Sequence, residues 1–116
     1  MEGKPYLWIV FMRFPAELED EFNKWYDEVH VPLVSKEGHF QSITRYRITD
    51  AVESDLTRYV AVVEFADDAT FRDWLKSDCR AEAAADTART WEGKDMMFWP
   101  KAFYEPYKAY DINPKV

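Results

Sequence analysis

The first extended segment of the chain is apolar on both of its faces, and this feature restricts the possible folds most strongly. Lys4–Phe14 is rich in β-branched and aromatic residues and lacks a helical period, so the pattern predicts a strand. One parity of this strand carries Tyr6, Trp8, Val10 and Met12, and the other carries Leu7, Ile9 and Phe11. A strand that is apolar on both faces has to be covered on both faces.

The segment that follows, Pro15–Ser35, is predicted to form a helix, because acidic residues cluster in its first turns and apolar residues recur at a helical period. At about 100° per residue, one apolar stripe contains Leu18, Phe22, Tyr26, Val29 and Leu33. Trp25 and His30 flank that stripe. Pro32 disfavours helical geometry at Val31, so the regular helix is predicted to end or bend near His30.

The rest of the chain supplies three more strands and a second helical region. The predicted strands are Phe40–Ile48, Thr57–Phe65 and Met96–Phe103, and the helical region runs from Ala69 to about Trp91 with a break near Ser77. The order β-α-β-β-α-β predicts a ferredoxin-like α+β fold with a four-stranded antiparallel sheet, formed by a single domain over residues 1–116.

The two helical regions of such a fold cover one face of the sheet and leave the other face open. Here the open face is also apolar, since it carries one parity of the first strand together with Val60 and Val62 of the third. Hydrophobic residues make up 47% of the chain and aromatic residues 17%, more than a 116-residue monomer easily buries. We therefore expect a homodimer that packs sheet against sheet, an aromatic-lined ligand pocket, or both.

Charge and cysteine content narrow the possible partners. The formal net charge of -7 disfavours nucleic acid and anionic membrane surfaces as partners. The one cysteine, Cys79, cannot form an intramolecular disulfide, and no stretch of the chain resembles a membrane span or a signal peptide. A cytoplasmic protein is the expectation that follows.

A twelve-residue motif on the first predicted helix resembles a known signature. Phe22–Leu33 contains Phe22, Trp25, His30, Pro32 and Leu33 at the spacing F-x-x-W-x-x-x-x-H-x-P-L. This resembles the first-helix signature of the dimeric α+β barrel superfamily, and most closely its EthD-like branch, named for ethyl tert-butyl ether degradation. The resemblance implies a ferredoxin-like subunit that dimerises into an α+β barrel. It does not imply one reaction, because the superfamily holds polyketide cyclases, dehydratases, isomerases, cofactor-free monooxygenases and haem-degrading enzymes.

His30 and Tyr26 are the candidate catalytic residues. His30 lies at the edge of the apolar stripe near the predicted helix end, where the helix dipole and partial burial oppose each other, so we expect a pKa near neutrality and a role as general acid or base. Tyr26 would donate a hydrogen bond to a substrate carbonyl or enolate. The alternatives are that His30 caps helix carbonyls and that Tyr26 is a core aromatic residue.

The candidate substrate-binding residues are aromatic: Trp8, Trp25, Trp74, Trp99 and Phe22. They would form the apolar walls of a pocket for a planar ligand, although each is also a plausible core residue. Arg13, Arg45 and Arg47 suggest either a carboxylate clamp or solvated strand ends. Glu64 is expected on the open face, paired there with an arginine.

The sequence predicts no metal, flavin or haem. His30 and His39 are the only histidines, no pair of residues has metal-ligand spacing, and three glycines form no phosphate-binding loop. Cys79 has no histidine near it in sequence and is not expected to act as a nucleophile. His30 would be the residue to ligate a haem iron, but nothing else in the sequence indicates haem.

These observations together favour a cofactor-independent lyase, isomerase or cyclase. His30 would move a proton beside the carbonyl of a small hydrophobic substrate, aromatic or polyketide-like, and Tyr26 would polarise that carbonyl. One alternative is a cofactor-free monooxygenase of phenols. The other is a small-molecule-binding or stress-associated module that leaves its ligand unchanged.

Overall fold

The sheet of the molecule is antiparallel and has four strands. The computed structural model describes residues 3–50 and 58–112, within which the strands are β1 (Tyr6–Met12), β2 (Ser42–Arg47), β3 (Tyr59–Phe65) and β4 (Lys101–Tyr104). The α-helices are α1 (Glu19–Trp25), α2 (Val31–Val34), α3 (Asp68–Leu75) and α4 (Asp78–Thr90). The strand order is β2-β3-β1-β4, which confirms the predicted ferredoxin-like α+β fold. None of the described helices is long and apolar enough to cross a membrane.

One face of the sheet packs against the helices and forms the core. Side chains of β3 alternate strictly between buried and half-buried, and the buried ones are Tyr59, Ala61, Val63 and Phe65. Their partners in the register of β1 are Met12, Val10, Trp8 and Tyr6, so this parity of β1 also faces the helices. Two hydrophobic clusters result, one around Phe22, Trp25 and Tyr26, and the other around Phe65 and Trp74.

The opposite face carries the other parity of the same strands. Leu7, Ile9 and Phe11 of β1 are half-buried there, and Ile9 pairs with Val62 of β3. Glu64 also lies on this face, where its carboxylate accepts a hydrogen bond from the Ser42 hydroxyl, and it forms no ion pair with an arginine of the described residues. No described helix packs on this face, in agreement with the sequence pattern.

The first helical segment does not end near His30. A 3₁₀ turn at Ala16–Leu18 leads into α1, a π-helical turn at Tyr26–His30 follows, and α2 continues to Val34. The N–H of Val31 donates to the carbonyl of Tyr26, five residues earlier. Pro32 has no N–H to donate and its ring crowds the preceding turn. The wider π turn accommodates Pro32, so the regular α-helix is interrupted near His30, where the sequence predicted an end or a bend, and the helical segment continues to Val34 within the predicted range Pro15–Ser35.

The π turn also changes which residues face the core. Phe22 and Tyr26 are buried as predicted, but Val29 is 39% exposed, and Trp25 and Val34 are buried although neither belongs to the predicted stripe. A uniform period of 3.6 residues fails here because the π turn adds one residue to the helical repeat.

The second helical region divides where the sequence predicted a break. α3 ends at Leu75, and the Ser77 hydroxyl accepts a hydrogen bond from the N–H of Arg80 at the start of α4. The last strand begins at Lys101 rather than Met96, because Met97 makes only an isolated bridge with Arg13 and the following Pro100 has no N–H for a ladder. Thr57, the predicted start of the third strand, lies outside the described residues, as do residues 113–116 of the tail.

Candidate functional site

A cavity of about 420 Å³ lies between the sheet and the helices. Its sheet wall is formed by the core-facing side chains of three strands: Trp8, Val10, Met12, Ile43, Ala61 and Val63. The cavity is mainly apolar and opens to solvent, which is typical of a small-molecule site.

The small side chains of α4 leave the space for this cavity. Ala83, Ala84, Thr87 and Ala88 line it, and none of them fills the gap between helix and sheet. The Thr87 hydroxyl donates to the Ala83 carbonyl at 2.9 Å, so it satisfies its own helix and does not present a free donor. An Ala-rich run was visible in the sequence, but it did not by itself indicate a cavity.

The π turn places His30 at the cavity wall. The His30 ring lies 4.9 Å from the ring of Trp25 and 4.9 Å from that of Tyr26. The buried Nδ1 of His30 has no hydrogen-bond partner among the described residues. The alternative in which His30 caps the end of its helix fails, because the helix continues for another turn.

Burial lowers the pKa of His30 to about 4, with a smaller upward effect from Asp86 and a downward one from Arg45. The expectation of a value near neutrality was wrong for two reasons. His30 lies inside the helix rather than at its C-terminus, and the cost of desolvating an imidazolium exceeds the attraction of Asp86. The imidazole is therefore neutral at physiological pH and can accept a proton.

Tyr26 is held by its neighbours. Its ring is buried, with the guanidinium carbon of Arg45 4.2 Å from the ring centroid on one side and His30 close by. Arg45 donates to Asn23 at 3.1 Å and lies 3.5 Å from the carboxylate of Asp27. Burial raises the pKa of Tyr26 to about 12, so the phenol keeps its proton. Arg45 thus supports Tyr26, and neither a free carboxylate clamp nor a solvated strand end describes it.

Three of the predicted aromatic wall residues line the cavity, namely Trp8, Trp25 and Trp74. The indole N–H of Trp25 donates to Asp86 at 2.9 Å, and that of Trp74 donates to the Val34 carbonyl at 3.2 Å. The other two predicted wall residues lie elsewhere. Phe22 is fully buried in the core, and Trp99 is 67% exposed away from the cavity.

Sequence reasoning missed Trp91, which lines the cavity just beyond α4. It is buried, it packs edge-to-face on Trp25 at 5.5 Å, and its indole N–H has no acceptor among the described residues. The helical spacing of Ala84, Thr87, Ala88 and Trp91 (i, i+3, i+4, i+7) was the signal that could have placed Trp91 on the cavity face. Two residues of the cavity wall therefore carry a buried polar atom that has no partner among the described residues, namely Nδ1 of His30 and the indole N–H of Trp91.

The charged residues of the wall are all basic. Arg80, Lys94 and Lys101 line the cavity, and no Asp or Glu of the described residues does. Over residues 3–50 and 58–112 no group of three or more His, Cys, Asp or Glu side chains could hold a metal ion. Cys79 is fully buried in the core and does not line the cavity.

Comparison with known proteins identifies the fold and a family. Residues 5–101 match the model of a domain of unknown function, DUF4286. No curated protein matches the sequence. Among solved structures, an ethyl tert-butyl ether (EthD) family protein from Bacillus halodurans superposes with a TM-score of 0.70 at 16% identity, covering 90% of this chain and 100% of that one.

Two further solved structures share the fold. A dimeric ferredoxin-like protein of unknown function from Jannaschia has a TM-score of 0.62 at 10% identity, covering 89% of this chain and 100% of that one. The haem degrader MhuD from Mycobacterium tuberculosis, with two haems bound in its active site, has a TM-score of 0.56 at 16% identity, covering 92% of this chain and 100% of that one. At these identities the likeness establishes the fold, and it agrees with the EthD-like resemblance of the helix motif.

Proposed function

The chain belongs to the DUF4286 family and has an EthD-like, ferredoxin-like fold. We propose that it is a cofactor-independent enzyme of the lyase, isomerase or cyclase type. Its substrate would be a small hydrophobic carbonyl compound, aromatic or polyketide-like. His30 would act as general acid and base, with Tyr26 beside it. One observation carries the proposal: an unpartnered, neutral imidazole in the wall of an apolar cavity.

The unpartnered Nδ1 of His30 supports the role of proton acceptor. A buried polar atom without a hydrogen bond costs free energy, so its persistence in a fold calls for an explanation. Nδ1 is closed to a molecule the size of water, so we expect a small displacement of the ring to bring this nitrogen to a C–H or O–H group of a ligand in the cavity. Because an isolated imidazolium is costly in this setting, proton transfer is favoured when it leaves a negative charge on the substrate close by.

The proposed reaction begins at the carbon next to the substrate carbonyl. The C–H bond breaks, its proton goes to His30, and its electron pair forms the enolate. An isomerase returns the proton to another carbon. A lyase expels a β-hydroxyl group, which leaves as water with that proton. A cyclase lets the enolate carbon attack a second carbonyl of the same molecule, whose π bond opens to an alkoxide that takes the proton back from His30.

Two donors are available for the enolate oxygen. Trp91 is a residue of the cavity wall whose buried indole N–H has no acceptor among the described residues, and Tyr26 keeps its phenolic proton at all physiological pH values. A donor in a water-poor site strengthens as charge develops on its acceptor. Trp25 and Trp74 have their N–H groups engaged by the protein and would serve as walls only.

The same neutral base in an aromatic cavity also suits the deprotonation of a phenol, the first step of a cofactor-free oxygenation. This is the second candidate function, and oxygen consumption distinguishes it from the first. A ligand that binds and is recovered unchanged would instead indicate a binding module. Haem, which MhuD holds, would give the protein a visible absorption band on titration.

Proton exchange in D₂O tests the proposal without knowledge of the product. A panel of aromatic and polyketide-like ketones is incubated with the protein, and loss of the α-proton signal is followed by NMR. We expect accelerated exchange for at least one ketone, slowed about 10²–10⁴-fold by His30→Gln and less by Tyr26→Phe. His39→Gln is the matched control, because His39 also has a buried, unpartnered Nδ1 but does not line the cavity. Equal rates for wild type and His30→Gln would contradict the proposal.

We propose further that the working form is a homodimer of single-domain chains. Leu7, Ile9 and Phe11 of β1 lie with Val60 and Val62 on the sheet face that no described helix covers. The structurally similar Jannaschia protein is dimeric, which supports the same assembly here. A sheet-to-sheet interface of this extent would bury more than about 2,000 Å² in total.

A further inference from the structure

The cations around the cavity indicate which class of molecule it takes. Arg80 lies in the first turn of α4, Lys94 follows the C-terminal end of that helix, and Lys101 lies in the edge strand β4. None of the three forms an ion pair with any residue in the described ranges.

The three cations are spread along the length of the cavity. The guanidinium of Arg80 lies 5.8 Å from the ring centroid of Trp74, which packs against Trp8 near the start of β1. Lys94 follows Trp91, which packs in the cluster at the other end of β1 with Met12. The thirteen residues of α4 separate these two ends by about 20 Å.

Lys101 lies between those ends. It is the cross-strand partner of Val10, so its side chain points to the same face as Val10, and Val10 lies between Trp8 and Met12 in the cavity wall. A small anionic group at mid-cavity would therefore meet Lys101 first, with Arg80 and Lys94 adding longer-range attraction from either side. No carboxylate of the described residues in the wall opposes that attraction.

We infer that the cavity binds an apolar, aromatic molecule that carries a carboxylate or a comparable small anion, with the anion at Lys101 and the apolar body among Trp8, Trp25 and Trp74. This rests on the proposed function only in using the same cavity. Two features recognise the two parts of the ligand: aromatic walls bury its apolar body, and unpaired rim cations hold its charge. The rest of the protein surface is negatively charged and repels anions. An anionic ligand is therefore attracted only at the opening of the cavity.

A matched pair of ligands separates charge from shape. The probes are 2-naphthoate and 2-naphthamide, which share the aromatic body and differ in charge, and binding is measured by calorimetry at neutral pH. We expect naphthoate to bind about tenfold more tightly than naphthamide to the wild type, with an advantage that shrinks as salt rises. In the triple variant Arg80→Gln, Lys94→Gln, Lys101→Gln the advantage should disappear while naphthamide affinity stays unchanged.

Single variants test the position of the anion. Lys101→Gln should remove more of the naphthoate advantage than Arg80→Gln or Lys94→Gln, and Lys101 is exposed, so its loss should not disturb folding. Lys76→Gln, an exposed lysine outside the cavity, is the control for net charge and should change nothing. Equal binding of the two probes, no binding of either, or an advantage that survives the triple variant would overturn the inference. None of these outcomes depends on turnover, so each is distinguishable from failure of the proton-exchange test.

Discussion

His30 is neutral in the folded protein at a pH where the same side chain in an unfolded chain begins to take up a proton. Its pKa is lowered from 6.5 to about 4 by burial, so the unfolded state binds more protons between those two values. Folding stability contributed by this group is complete above about pH 6.5 and is lost as the pH falls towards 4. The loss amounts to about 3 kcal/mol when the pH has fallen below both values.

The first prediction follows from that linkage. Urea unfolding of the wild type should lose stability between pH 6.5 and 4 faster than unfolding of His30→Gln, because Gln does not titrate. The free energy of unfolding from the urea midpoint at several pH values measures the difference. Parallel pH curves for the two proteins would mean that His30 is not desolvated as described.

The second prediction compares two tryptophans of the cavity wall. Trp25→Phe removes the donor that Asp86 accepts at 2.9 Å, whereas Trp91→Phe removes an N–H that has no acceptor among the described residues. Both substitutions lose similar apolar volume. Trp25→Phe should therefore destabilise the protein by about 1–2 kcal/mol more than Trp91→Phe, measured by urea denaturation. Trp91→Phe should instead slow ketone proton exchange, and a larger stability loss for Trp91→Phe would contradict its assignment as a free donor.

Residues were predictable from the sequence where one local pattern decided their position. The helix motif and the apolar stripe were sufficient to place His30 and Tyr26 beside each other near buried aromatic rings. Trp99 and Trp91 were not predictable, since their burial depends on where the chain turns after α4. The cations that line the cavity were not predictable either, because tertiary packing alone brings Arg80 and Lys101 to the cavity wall.

At the scale of elements, α4 sets the capacity of the cavity, and the third prediction tests this. Ala88→Leu places a larger side chain at an exposed position that lines the cavity, whereas Ala81→Leu places the same side chain at an exposed position of the helix outside the cavity. Helix propensity changes equally in both variants. Ala88→Leu should reduce naphthoate affinity at least about tenfold without loss of stability, and Ala81→Leu should leave affinity unchanged. Calorimetry and urea midpoints check the two expectations, and equal affinity in both variants would contradict this placement of the wall.

Element types and order followed from the sequence, but some element ends did not. The break near Ser77 was predictable, and its local cause is a cap in which the Ser77 hydroxyl accepts a hydrogen bond from the N–H of Arg80. The predicted segment Pro15–Ser35 already extended past His30, but the form of the irregularity there was not predictable, since nothing in the local sequence indicates a π turn. The late start of β4 at Lys101 depends on pairing with β1, a partner about ninety residues away in sequence.

At the scale of the whole molecule, the apolar sheet face requires a cover, and the fourth prediction tests a second copy as that cover. Val62 lies opposite Ile9 at the centre of this face. Val62→Glu should convert a dimer of twice 13.8 kDa into a monomer, because an interface would bury the new carboxylate without a partner. Ala85→Glu, on the exposed side of α4, adds the same charge and should leave the mass unchanged. Multi-angle light scattering provides the readout, and a wild type at 13.8 kDa in micromolar solution would contradict the dimer.

The π turn at Tyr26–His30 has a consequence for how this chain tolerates deletion. Such a turn is equivalent to one residue inserted into an α-helix, so the helix runs in one angular register before it and in another after it. Phe22 fills one hydrophobic cluster in the first register, and Val34 fills the other in the second. Deleting a single residue from this turn would let the segment close into a regular α-helix, in which the side chains of Phe22 and Val34 would still lie about 20° apart on one face, so both clusters could still be filled. The core therefore does not depend on the π turn, whereas the position of His30 does, and we expect the shortened helix to give a folded subunit with an altered site.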